Sequence, residues 1–158
     1  MDKSCYGFDC DGVIVRIPWI FNFFGKRFED SALRMSRFKL FRVVYNNLLK
    51  VNPDIKERMR NLKEDGHRIV IISARLEKQR GEMENFLKNK GINFDKLILR
   101  KRFAESILSY KFKMISEENC VFYWEDRERV VDYINNQAGR KLAILYPRIQ
   151  NKIRLRPA

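Results

Sequence analysis

Short apolar runs alternate with helically spaced apolar positions along most of this chain. Cys5–Asp9, Arg68–Ser73, Lys96–Leu99, Cys120–Trp124 and Lys141–Leu145 read as strands. The Ile69-Val70-Ile71-Ile72 run has no polar alternation, which predicts a strand buried on both faces. Between these runs the period changes to that of a helix. Asn52-Pro53 places a capping residue and a first-turn proline ahead of Ile55, Met59 and Leu62, and Gly66 ends that helix. Leu76–Lys90 carries Met83, Phe86 and Leu87 inward and stops at Gly91. Phe103–Ile115 has Ile107, Leu108, Phe112 and Ile115 in register, and Arg127–Ala138 closes at Gly139. Strands joined by helices predict a three-layer α/β fold with a central parallel five-stranded sheet and right-handed crossovers.

One stretch breaks this rhythm. Phe41, Val44, Tyr45 and Leu48 fit one helix face studded with Arg34, Arg37, Lys39 and Arg42, preceded by the aromatic run Trp19 to Phe24. This predicts a helical insertion at 17–51 within a single domain, with a basic tail at 146–158.

Composition bounds the class. A chain of 158 residues with 45% apolar side chains suits one globular domain. No stretch approaches the roughly 20 apolar residues of a membrane span. Cys5, Cys10 and Cys120 lack zinc or redox spacing, so a reduced, cytoplasmic protein is expected. The net charge is +13 and uneven: Arg16 to Lys50 holds eight basic and two acidic residues. Such a field attracts polyanions.

In an open parallel sheet, ligands bind beyond the carboxyl ends of the strands. There stand Asp9 and Asp11 in Asp9-Cys10-Asp11-Gly12, Ser73 after the second strand, and Glu125-Asp126 after the fourth. Carboxylates without a cysteine or histidine cluster suit a hard cation such as Mg2+. Two carboxylates two residues apart divide labour as nucleophile and general acid/base. Lys113, on the helix before the fourth strand, is expected to aim its ammonium at the same place. With Ser73 it would hold phosphate oxygens, which fits phosphoryl transfer.

These residues resemble those of the haloacid dehalogenase (HAD) superfamily. Phe8-Asp9-Cys10-Asp11-Gly12-Val13 is similar to its DxDG motif, and Ile69–Ser73 to its second motif, a hydrophobic strand ending in Ser or Thr. Lys113 matches the third-motif lysine and Trp124-Glu125-Asp126 the acidic fourth motif. The resemblance implies a Rossmann-like fold, Mg2+ dependence and an aspartyl-phosphate intermediate. Asp9 is then the nucleophile and Asp11 the acid/base. Asp9, the Asp11 carbonyl and Asp126 hold the metal, with Glu125 ligating or orienting. Ser73, Ala74, Arg75 and Lys113 are the expected substrate-binding set, although Arg75 reads equally well as a solvated arginine at a helix start. Ser109-Tyr110-Lys111-Phe112-Lys113 followed by Trp124-Glu125-Asp126-Arg127 resembles a TxxFK…EDR pattern of the RNA-repair-associated and lipin-type branches, with Ser109 replacing Thr. Lys111 competes for the lysine role, although the pattern favours Lys113.

The expected function is a Mg2+-dependent phosphomonoester hydrolase acting on a nucleotide-like substrate or polynucleotide end. Its alternatives are a phosphatase of small sugar or acid phosphates, and a non-catalytic module binding RNA or phosphorylated lipid. The insertion admits three readings: a small cap, a homo-oligomer interface, or a contact for membrane or bases. His67 reads as a structural loop residue and Cys10 as a core-facing spacer.

Overall fold

The computed structural model describes residues 3–16, 49–102 and 105–146. Its elements run β1 (Cys5–Phe8), β2 (Val15–Arg16), β3 (Lys50–Val51), α1 (Pro53–Glu64), β4 (Arg68–Leu76), a 3-10 turn (Glu77–Gln79), α2 (Arg80–Asn89), β5 (Lys96–Arg100), α3 (Ile107–Glu117), β6 (Cys120–Glu125), α4 (Glu128–Ala138) and β7 (Ala143–Leu145). Five strands form one sheet in the order β5-β4-β1-β6-β7, and all its neighbours pair in parallel.

The unbroken apolar run of β4 is explained by two cores. Ile69 and Ile71 pack on one side with Ile55 and Met59 of α1 and Met83 and Leu87 of α2. Val70 and Ile72 face the other side, with Tyr110 and Ile115 of α3 and Val130, Val131 and Ile134 of α4. Alternate residues of a strand point to opposite faces, so a strand between two helical layers must be apolar at every position. All four β4 side chains are fully buried, each contributing about 1.5–3 kcal/mol of transfer free energy. Cys10 lies in the α1/α2 core, completely buried. His67 sits against the Tyr6 ring, 5.1 Å between centroids.

Three expectations need correction. Leu76 begins no helix: β4 continues through it after a register shift between Ser73 and Leu76, and α2 starts at Arg80. The Gln79 carboxamide accepts from the Leu76 N–H at 3.1 Å, so the turn rather than Leu76 sets the helix entry. The third helix begins at Ile107 and not at Phe103, which lies outside the described residues. Finally, β2 and β3 form a small antiparallel ladder, Val15 opposite Val51 and Arg16 opposite Lys50, where the sequence suggested no strand. The rest of the expected insertion, 17–48, and the tail from 147 lie outside the described residues.

Candidate active site

The first acidic pair is placed by a strand end and a tight turn. Asp9 continues the β1 ladder, its N–H donating to Trp124 O at 2.9 Å. The chain then reverses: Gly12 N–H reaches Val15 O at 2.8 Å and Val15 N–H reaches Cys10 O at 3.0 Å. Val13, Ile14 and Val15 are fully buried and anchor this turn in the core. Gly12 has φ +96°, a conformation open chiefly to glycine. A Cβ at Gly12 would also collide with the Asp126 carboxylate, so the missing side chain makes room for that acid.

Asn52 secures the turn from behind. Its backbone N–H donates to Ile14 O at 2.8 Å, its Nδ2 donates to Val13 O at 3.2 Å, and Oδ1 accepts from Arg16 Nη2 at 3.3 Å. Asn52 occupies the expected N-cap position of α1, yet its side chain makes no cap bond. The carboxamide serves the turn bearing Asp9 and Asp11 instead.

Asp9, Glu125 and Asp126 converge from β1 and β6. All three are buried, and one carboxylate oxygen from each lies within 4.8 Å of the others. Lys111 of α3 enters this group, fully buried, with Nζ 2.9 Å from Asp9 Oδ1 and donating to Glu125 Oε2 at 2.5 Å. The ammonium also lies 5.7 Å from the Tyr123 ring centroid. Tyr123 is itself fixed by donating to Ile72 O at 3.1 Å. Gly7 on β1 makes way for that ring, since a Cβ there would stand 2.8 Å from it.

Lys113 does not reach the site. Its side chain is 63% exposed and pairs with Glu117 along the helix surface at 3.8 Å. The reason is helical register. Positions 107, 111 and 115 share one face, and Lys111 and Ile115 are buried, whereas position 113 is rotated to solvent. The expected lysine is therefore replaced by Lys111.

The other expected residues gather at the end of β4. Ser73 is fully buried, and its Oγ accepts from Arg75 N–H at 3.2 Å. Arg75 grips Asp11 with two bonds, Nε to Oδ2 at 2.9 Å and Nη2 to Oδ1 at 2.7 Å. Ala74 offers its carbonyl to Arg100 Nε at 2.8 Å, and Arg100 also donates to Glu105 O at 2.9 Å. Arg100 thereby ties the end of β4 to the approach of α3, a role that the sequence did not reveal. Arg127 is likewise new, its N–H and Nε both 3.2 Å from Glu125 Oε1.

These surroundings set the acidities apart. Burial, reinforced by the Glu125 charge, pushes the Asp9 carboxyl well above the usual range, and Lys111 only partly offsets this. Burial acts the same way on Glu125, but Lys111 and Arg127 outweigh it and bring that carboxyl down to about 2. Burial also opposes ionisation of Asp11, and Arg75 reverses the balance, holding Asp11 below its ordinary value. Environments that separate the acidities of neighbouring carboxylates are a mark of acid/base sites.

A divalent cation fits the donor set. Oxygens around an octahedral ion with bonds of about 2.1 Å lie roughly 3 to 4.2 Å apart, close to the present spacing. Burial and the Glu125 charge together disfavour the ionised Asp9 carboxyl, and a bound cation would favour it. The glycine-lined space beside Asp126 leaves that carboxylate able to approach.

No family model matches the sequence, and neither does any curated protein. Solved structures do match in fold. A chain of the Pnkp1/Rnl/Hen1 RNA repair complex superposes with a TM-score of 0.68 at 18% identity, over 92% of this chain and 42% of that one. The HAD domain of the effector protein Lem4 from Legionella pneumophila gives 0.55 at 16% identity, over 95% and 88%. The class C acid phosphatase from Bacillus anthracis, with tungstate bound, gives 0.57 at 13%, over 94% and 68%. The architecture is thus the HAD-type fold. This chain spans less than half the length of the RNA-repair chain that it matches.

Proposed function

We propose that this protein is a Mg2+-dependent phosphomonoester hydrolase whose substrate is a nucleotide or polynucleotide end. The observation carrying the reading is the convergence of Asp9, Glu125 and Asp126, the first two paired with buried Lys111, with Asp11 two residues beyond Asp9 at the strand tip.

Asp9 is the proposed nucleophile: an oxygen attacks phosphorus, the ester P–O bond breaks, and the leaving oxygen takes a proton from Asp11. Water then attacks the acyl phosphate while Asp11 receives its proton, and inorganic phosphate departs. Lys111 holds Asp9 in place and offsets charge near the phosphoryl oxygens. Both oxygens of Glu125 are engaged by Lys111 and Arg127, which favours an orienting role for it. Asp9, the Asp11 carbonyl and Asp126 would hold Mg2+, which supplies charge neutralisation between carboxylate and phosphate. Arg75 and Ser73 receive the phosphoryl oxygens. An incoming phosphoryl group competes with Asp11 for Arg75, so substrate binding frees Asp11 to carry a proton.

The polyanionic substrate is supported by the charge of +13 and by the fold shared with a chain of an RNA repair complex. Phosphate release with Mg2+ is to be measured on p-nitrophenyl phosphate, mononucleotides, sugar phosphates and 3′- and 5′-phosphorylated oligonucleotides. Hydrolysis of oligonucleotide ends that falls steeply with salt is the expected result. Preference for a sugar phosphate with weak salt dependence would overturn the substrate, and no release from any substrate would overturn the reaction.

A further inference from the structure

Away from the site, at the opposite end of β1 and β6, two thiols face each other. Cys5 and Cys120 are register partners on these adjacent parallel strands, and their Sγ atoms are 3.3 Å apart. Both are free and buried, 6% and 3% exposed, in the α3/α4 core. Adjacent strands run about 4.8 Å apart, within the roughly 4.4–6.8 Å between Cα atoms that a disulfide spans. Closing the bond needs the sulfurs to approach by little more than 1 Å, since a disulfide is about 2.05 Å long. Cys10 lies across the sheet in the other core and takes no part.

A cation stands beside the pair. Arg68 Nη1 is 3.9 Å from Cys5 Sγ, and the same guanidinium is held by an ion pair with Glu118. Together with the Cys120 thiol, Arg68 favours the thiolate of Cys5, whose acidity is enhanced, whereas Cys120 is made less acidic. An acidic attacking thiol with a neighbouring resolving thiol is the arrangement that responds to peroxide.

We infer that Cys5 and Cys120 form a dithiol site that hydrogen peroxide oxidises to an intramolecular disulfide, joining β1 to β6. The Cys5 thiolate attacks one peroxide oxygen, the O–O bond breaks, and hydroxide leaves and takes a proton as water. The Cys120 sulfur then attacks the sulfenic sulfur of Cys5, and a second water departs. Two thiols lose two electrons in total, and one peroxide is reduced to two waters.

The full chain is to be treated with hydrogen peroxide, denatured, alkylated and weighed, then digested with trypsin without reductant. The expected product takes up one alkyl group where the reduced protein takes up three, and before alkylation it is about 2 Da lighter than the reduced protein. It retains one of its three thiols, on Cys10, and links peptide 4–16 to peptide 114–127 through Cys5 and Cys120. Dithiothreitol reverses the change. Arg68→Gln slows the loss of thiols several-fold, and Cys10→Ser leaves the link intact. Three surviving thiols, a disulfide through Cys10, or dimers as the sole product would overturn the inference.

Discussion

The Nζ of Lys111 lies 2.9 Å from Oδ1 of Asp9, joining the third helix to the tip of the first strand inside the core. The same ammonium reaches Glu125, so one cation serves two buried carboxylates. Breaking such a group by removing one partner leaves uncompensated charge, at a cost of about 3–5 kcal/mol. Lys111→Ala is therefore expected to lower stability by that amount in urea unfolding and to abolish phosphate release. Lys113→Ala, on the solvent side, should change stability by no more than about 0.5 kcal/mol and leave turnover intact. Equal losses in the two variants would contradict the assignment.

Removing charge from the cluster should separate stability from activity. Burial and the Glu125 charge disfavour the ionised form of Asp9, so Asp9→Asn should unfold no earlier than the parent in metal-free buffer while losing all turnover. Mg2+ should raise the parent's thermal midpoint, because a ligand at about 100 times its dissociation constant adds about 2.7 kcal/mol. That rise should vanish in Asp9→Asn and in Asp126→Asn. Differential scanning fluorimetry with Mg2+ and with EDTA reads both effects, and an undiminished rise in the variants would exclude these ligands.

Gly12→Ala tests the space beside Asp126. The added methyl group meets the Asp126 carboxylate and sits on a backbone with φ +96°. Strain of this kind costs about 1–3 kcal/mol. A displaced ligand should also weaken Mg2+ binding, and turnover should fall by roughly a hundredfold. A Mg2+ titration of activity checks this: recovery at saturating Mg2+ points to lost affinity, and an unchanged titration curve refutes the crowding argument.

Part of the acid sensitivity should come from outside the site. Burial opposes ionisation of Asp95 and Glu118, but their partners prevail and hold both carboxyls below the ordinary 3.8 and 4.5. Asp95 accepts from Lys63 and from Ile69 N–H, both at 2.7 Å, and Glu118 bridges Arg68 and Lys96. With folded values below unfolded ones, the native state binds fewer protons, so stability rises with pH across this interval. The contribution is complete above the unfolded values and disappears as pH falls through the folded ones. At the site, the raised Asp9 carboxyl opposes this trend, whereas the lowered Glu125 and Asp11 carboxyls share it. Urea unfolding between pH 3 and 6 should show a falling midpoint toward acid, and a shallower slope in Asp95→Asn.

Strand positions and most helix limits could be read from the sequence because they follow from local chemistry. The apolar run at Ile69–Ile72 and the left-handed Gly139 after α4 need no tertiary information. Lys111 was harder. A short pattern drew attention to Lys113, although Ile107 and Ile115 already defined a helical face on which position 111 falls midway. A lysine on an apolar face contradicts simple patterning unless buried acids await it, and those acids come from other strands. Arg100, Arg127 and the Asn52 carboxamide escaped for the same reason, since each acts across the fold on backbone or side chains distant in sequence.

The Asn52 clamp has a consequence for how this protein can vary. The main chain departs through Val15–Arg16 and returns through Lys50–Val51, and one carboxamide rivets both sides of that gateway to the turn. Whatever sequence lies between inherits two fixed endpoints. Lengthening or exchanging it leaves the acidic turn anchored, so selection can remodel the excursion for new substrates while the chemistry stays where it is.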